Sequence, residues 1–193
     1  MGELSPTPGQ TVGPFFHYAL PFQGGASLVP PGSTGAIQLH GTVYDGAGDP
    51  VSDALLELRQ ADAFGRISSV EGSIGGRTAF TGWGRAATDA GGRYSFTTVE
   101  PGPTRPGAVP FFALTVFARG LLDRLFTRIY LPGPDLDQDP FLAALPEERR
   151  ATLVATREPG DEGSPHGGHL RFDVHLQGDL ETTFLTFPRH GEL

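Results

Sequence analysis

Ile37-Gln38-Leu39-His40-Gly41-Thr42-Val43-Tyr44 alternates with a period of two, and Asp45-Gly46-Ala47-Gly48-Asp49-Pro50 follows it as a turn. Side chains on a strand point alternately to opposite faces, so the pattern is that of a strand with one face buried. A helix would instead bring its apolar residues back every three or four positions. Asp, Gly and Pro supply the backbone conformations that end such a strand.

The same grammar recurs along the chain. Residues 54–60 read as a second strand, and Ala86-Ala87-Thr88 leads into the turn Asp89-Ala90-Gly91-Gly92. Tyr94, Phe96 and Thr98 then alternate as another strand. Residues 111–119 and 124–131 read as two strands around Gly120-Leu121-Leu122-Asp123. Residues 153–158 and 170–177 are expected to form a hairpin across the Gly-rich loop 159–168. In its second strand Leu170, Phe172, Val174 and Leu176 take one face, and Arg171, Asp173, His175 and Gln177 the other. Residues 183–187 suggest a last strand. The clearest helix start is Pro146-Glu147-Glu148-Arg149-Arg150, where Pro takes a first-turn position and acids follow it.

Roughly seven to nine short strands with regular turn signals predict an all-β fold, an antiparallel β-sandwich with long loops and at most a short helix. One domain over residues 1–193 is expected, with residues 1–35 as an extended N-terminal arm. The arm carries Phe15-Phe16-His17-Tyr18, aromatic surface that must lie on something. The Gly-rich loop 65–84 is long enough to be functional or buried against a partner.

Composition narrows the function. Of 193 residues 38% are hydrophobic and 19% charged, which fits a globular chain. Its 28 Gly and 18 Pro, without a collagen period, fit a turn-rich all-β protein. A net charge of -8 argues against a general nucleic-acid or anionic-membrane binder. An anionic ligand must therefore be drawn in by local cations. With no Cys, there are no disulfides, thiol nucleophiles or cysteine metal sites. Residues 1–6 lack the basic and apolar regions of a secretory signal, and the longest apolar run, residues 109–118, is about half a membrane span. A cytoplasmic protein is expected.

Several residue groups could carry chemistry. His166 and His169 could chelate a metal, but only Asp161 and Glu162 stand near as further ligands, so a structural loop is the plainer reading. Asp173 and His175 share a strand face and could act as a general base pair, though without a nucleophile elbow a solvated face fits better. Gly46-Ala47-Gly48 is followed by Pro50 and another strand, which excludes a dinucleotide loop. Thr11-Val12-Gly13-Pro14-Phe15 is either a loop kink or a turn that brings backbone close to a ligand or another chain. Arg124, Phe126, Arg128 and Tyr130 alternate on one strand face, which is either solvated or an interface that binds anions.

Several stretches, in order, carry a likeness to a known family. They are Thr11-Val12-Gly13-Pro14 with His17, Gly41-Thr42-Val43-Tyr44-Asp45-Gly46, and Leu56-Glu57-Leu58-Arg59-Gln60-Ala61-Asp62. Gly92-Arg93-Tyr94-Ser95-Phe96 with Pro101-Gly102, Phe117-Ala118-Arg119-Gly120, Thr127-Arg128-Ile129-Tyr130 and Arg171-Phe172-Asp173 complete the set. Through them the chain resembles the intradiol ring-cleaving dioxygenases across nearly its whole length. The resemblance implies a β-sandwich core and, in the catalytic chains, a non-haem Fe(III) held by two Tyr and two His. One such Tyr lies in Pro-Gly-Pro-Tyr, which here reads Pro101-Gly102-Pro103-Thr104. The His pair lies in Pro-Ala-His-Ile-His-Phe. Here that stretch reads Pro110-Phe111-Phe112-Ala113-Leu114, with Phe111 and Ala113 where the imidazoles would stand. The other Tyr belongs in loop 65–84, which holds none. Fe(III) wants anionic oxygen and imidazole nitrogen, so all four ligands are missing.

The resemblance therefore implies the iron-free chain of a two-chain enzyme. Its Fe(III) would be bound by a homologous beta subunit, and its small-molecule partners would be protocatechuate and O2. It implies that Thr11, Gly13 and Pro14 reach the partner's active-site mouth and that Arg128 faces the substrate carboxylate. Phe15 stands where relatives often have Tyr. The alternatives are a non-enzymatic β-sandwich binding module and, more remotely, a metal hydrolase using His166, His169 and His175.

Overall fold

The computed structural model describes residues 11–13, 15–68, 79–159 and 168–186. The strands are β1 (Ala36–Tyr44), β2 (Leu55–Arg59), β3 (Trp83–Ala87), β4 (Arg93–Val99), β5 (Phe111–Phe117), β6 (Leu125–Tyr130), β7 (Thr156–Glu158), β8 (His169–Arg171) and β9 (Val174–His175). One sheet runs β4-β1-β8-β7, with β9 also paired to β1, and the other runs β3-β2-β5-β6. The two inner faces meet in a core where Leu39, Leu56, Phe96, Phe112 and Ile129 are fully buried. Each such side chain contributes roughly 1.5–3 kcal/mol on leaving water.

β1 buries Ile37, Leu39, Gly41 and Val43, the face its alternation predicts. The expected hairpin forms between β7 and β8, which are antiparallel. Its second strand is split, however, and both β8 and β9 run parallel to β1. The split falls at Phe172 and Asp173. Phe172 N–H donates to the carbonyl of His40 (2.8 Å), and the Asp173 carboxylate accepts from Thr42 N–H (2.9 Å). Gly41 lies beneath, where an added Cβ would stand 1.8 Å from the Phe172 carbonyl oxygen.

The expected arm is shorter than residues 1–35. Leu28 and Val29 are core residues, and residues 26–28 lie along β4 through Leu28 N–H to Thr97 O (2.8 Å) and Thr97 N–H to Ala26 O (2.9 Å). The chain from 153 to 158 also divides. Tyr130 N–H donates to Leu153 O and Ala155 N–H to Tyr130 O, which covers the free edge of β6 before the chain crosses to the other sheet as β7. Of the suggested last strand, the described part is a single bridge between Phe126 and Leu185.

The helices are α1 (Phe16–Ala19), a 3-10 turn (Pro134–Gln138), α2 (Pro140–Ala143) and α3 (Glu147–Ala151). Pro146 caps α3 rather than joining its first turn. Asp139 caps α2 by accepting from Phe141 N–H (2.8 Å). No described helix is long and apolar enough to cross a membrane.

Candidate functional site

The outer face of the β3-β2-β5-β6 sheet carries the cleft. On β5 Phe112, Leu114 and Val116 point into the core, which turns Phe111, Ala113 and Thr115 outward. Cross-strand pairing then sets a row across the sheet: Trp83 beside Arg59, Arg59 beside Ala113, and Ala113 beside Arg128. The adjacent row is Arg85, Glu57, Thr115 and Phe126.

A cleft of about 790 Å³ opens over the first row. Phe22 from the arm stacks on Trp83 at 6.0 Å and 11°. Arg85 covers Trp83 at 5.0 Å, bonds Glu57 through Nε (3.0 Å), and donates to the carbonyl of Leu20 (3.0 Å). The rim is two interlocked loops: Gly102 N–H donates to Asp62 O (2.8 Å), and an added Cβ at Gly65 would stand 1.9 Å from Pro103 O. Side chains at either glycine would push the loops apart. Asp62 organises its own loop by accepting from Phe64 N–H, Arg66 N–H and Arg66 Nε. Partial burial raises its pKa, but these bonds and the Arg66 charge outweigh burial and hold the carboxyl below its usual range.

A second cleft of about 460 Å³ shares Thr104, Val109 and Phe111 with the first and adds Arg105, Arg128 and Phe141. Arg128 is sandwiched there, 4.2 Å from the Phe111 ring centroid and 5.1 Å from that of Phe141. Its Nη1 donates to the Tyr130 hydroxyl (3.0 Å), which donates to Asp139 (3.0 Å). Burial pushes the Tyr130 phenol up to about 12, against the pull of Arg128 and with that of Asp139. It is a neutral hydrogen-bonding group at ordinary pH.

The structure places Thr11 at the far end of the sheet from Arg128. Thr11 Oγ1 accepts from Gly120 N–H (2.6 Å), in the turn at the far end of the β5–β6 hairpin. Gly13 O accepts from Phe16 N–H (3.4 Å), and Pro14 lies outside the described residues. Phe15 and Tyr18 are 73% and 72% exposed, so the aromatic arm is not covered by its own chain. Asp173 bonds Arg171 (2.7 Å) and Thr42, while His175 stacks on Tyr44 at 4.9 Å. His169 sits 6.0 Å from His40, which pairs with Glu158 at 3.1 Å. His166, Asp161 and Glu162 lie outside the described residues. Among the described residues no three His, Cys, Asp or Glu gather as a metal site.

Thr104, Phe111 and Ala113, expected from the resemblance to stand where iron ligands would be, all line the larger cleft. Two are hydrocarbon and the third is a neutral hydroxyl. That donor set does not fit Fe(III). The cleft walls Phe22, Arg59 and Trp83 escaped sequence reasoning, because their meeting depends on the sheet register and on where the arm lies.

The family model for "Dioxygenase" matches residues 13–178. The protocatechuate 3,4-dioxygenase alpha chain of Burkholderia cepacia is 40% identical, over 95% of this chain and 98% of that one. The protocatechuate 3,4-dioxygenase beta chain of the same organism is 33% identical, over 74% of this chain and 64% of that one. Among solved structures, the dioxygenase domain of a dioxygenase carbohydrate-binding protein fusion from Streptomyces sp. SirexAA-E has a TM-score of 0.59. It is 27% identical and covers 90% of this chain and 99% of its own.

Proposed function

Because the chain belongs to the intradiol dioxygenase family, we propose that it is the iron-free alpha subunit of a hetero-oligomeric protocatechuate 3,4-dioxygenase. The reaction opens protocatechuate between its adjacent hydroxyls and places both atoms of O2 in 3-carboxy-cis,cis-muconate, a step in cytoplasmic aromatic catabolism. Fe(III) belongs to the homologous beta subunit, and no step of the chemistry runs through a metal on this chain.

One observation carries the reading. Thr104, Phe111 and Ala113 share one cleft; the resemblance puts three of the family's iron ligands at these positions, and here they offer iron no ligand. This single-domain chain then serves the reaction in two places. The arm, with Thr11, Gly13 and Pro14, reaches the mouth of the partner's active site. Arg128 supplies positive charge for the substrate carboxylate: its Nη1 is bonded to Tyr130, and the residue lines the smaller cleft.

Gentle affinity purification of the chain from its own cells tests this, with iron and co-purifying protein measured in one eluate. A homologous partner at equal stoichiometry, about one iron per pair and cleavage of protocatechuate are the expected results. A lone, metal-free and inactive chain would overturn the reading in favour of a binding module.

A further inference from the structure

The larger cleft is open and aromatic, and its described lining carries no acid, which is unusual on a chain of net charge -8. Its described lining holds Arg59 and Arg85 and no carboxylate. The two arginines differ. Arg85 is neutralised by Glu57, while Arg59 is exposed and makes no ion pair or hydrogen bond among the described residues. Arg59 projects from the end of β2 between Trp83 and Ala113. The methyl group of Ala113 leaves space beside the guanidinium. Phe22, Trp83 and Phe111 supply flat apolar walls. The other strong polar groups are already satisfied: Gln60 donates to Ala61 O and Val99 O and accepts from Thr98, and Thr81 donates to Trp83 O.

We propose that this cleft is a non-catalytic binding site for a small planar aromatic carboxylate, anchored by Arg59. A planar guanidinium grips a carboxylate through two parallel hydrogen bonds, and the ring it carries would lie against the aromatic walls. A cleft of about 790 Å³ with mostly apolar walls and one convergent charge fits a small-molecule site. With no metal ligand in its described lining, the bound ring is held and released unchanged. The site would register the concentration of aromatic acids rather than consume them. The inference stands on the cleft alone and does not depend on the subunit reading.

The test uses the full chain with whatever homologous partner purifies beside it, titrated with 4-fluorobenzoate by equilibrium dialysis and fluorine NMR. Any probe at a partner's iron is recognised by its change in visible absorption; the site proposed here fills without one. If the chain purifies alone, the same titration applies to it directly, so failure of the subunit reading is distinguished from failure of this one. The expected result is one such site per chain. Arg59→Gln weakens it about tenfold or more, Arg59→Lys restores part of the loss, and Ala113→Phe closes it. Arg59 is exposed and outside the core, so the Gln variant decides the matter even where Ala113→Phe does not fold. Absence of a site beyond any at the iron, or unchanged affinity in Arg59→Gln, would overturn the proposal.

Discussion

Tyr94 donates its phenolic hydrogen to the backbone carbonyl of Phe172 across 2.6 Å, from β4 to the point where β8 breaks into β9. Burial, reinforced by the Asp173 charge, raises the phenol's pKa well above its ordinary value, so it is held neutral as a donor. Gly41, Tyr94, Phe172 and Asp173 thus form one knot that joins three separated stretches of the family resemblance.

Tyr94→Phe removes the donor and leaves a buried carbonyl short of a partner, at a cost of about 1–3 kcal/mol. Gly41→Ala costs more, because a Cβ 1.8 Å from the Phe172 oxygen forces the strands apart. Urea unfolding of both variants measures the difference. The raised pKa also fixes a sign: the unfolded phenol ionises near about pH 10 and the folded one resists. The knot's stability is whole below that pH and falls away above it. An unfolding midpoint in urea that is as high at pH 11 as at pH 8 would remove this account.

Arg128→Ala, in the assembled enzyme, is expected to raise KM for a carboxylated catechol about tenfold or more, with little change for catechol itself. Arg128→Lys keeps the charge but loses the fork and much of the stacking on Phe111 and Phe141, so it recovers only part of the loss. Equal loss on both catechols would assign Arg128 to holding α2 against the sheet rather than to substrate.

Deletion of residues 1–16 is expected to damage assembly or turnover far more than folding. α1 buries none of its residues, and Phe15 and Tyr18 are mostly exposed. Among the described residues, the deletion removes a bond to the β5–β6 turn, from Gly120 N–H to Thr11. Size-exclusion chromatography and steady-state assays should show the defect while the urea midpoint of the chain stays put. A truncated chain that assembles and turns over normally would make the arm dispensable.

The strands were legible where one rule governs them locally. β1 and β4 follow period-two alternation in sequence; β5 is nearly all apolar, so only its burial in the fold shows Phe111 and Ala113 on one outward face. Three of the expected iron-ligand replacements were legible for a similar reason, since Thr104, Phe111 and Ala113 sit inside short motifs, while the fourth ligand was expected only somewhere in loop 65–84. The break at Phe172 was not legible, because its causes are Tyr94 and Gly41, far away in sequence. Leu28 and Val29 were absorbed into the arm, since a short apolar pair flanked by Gly and Pro carries no period. The cleft was hidden because Phe22, Trp83, Thr104 and Ala113 come from four segments that only the folded register assembles.

Acid should loosen the rim of the larger cleft before it unfolds the sandwich. The hydrogen bonds from Phe64, Arg66 and the Arg66 side chain depress the Asp62 pKa despite partial burial, so their contribution is present above the unfolded value of about 4. It is lost as pH falls through the folded value. Protonation then frees loop 61–68, whose Gly65 locks against Pro103 and whose Asp62 carbonyl holds Gly102. Trp83 is the chain's one tryptophan and forms a wall of that cleft, so its emission reports the change directly. The expected trace is a red shift below about pH 4 that precedes loss of β-sheet signal. Asp62→Asn, which accepts fewer and weaker bonds, should show the loosened emission already at neutral pH and lose the acid step. Emission that changes only together with the sheet signal, in both proteins, would mean that the rim has no stability of its own and is carried wholly by the two sheets.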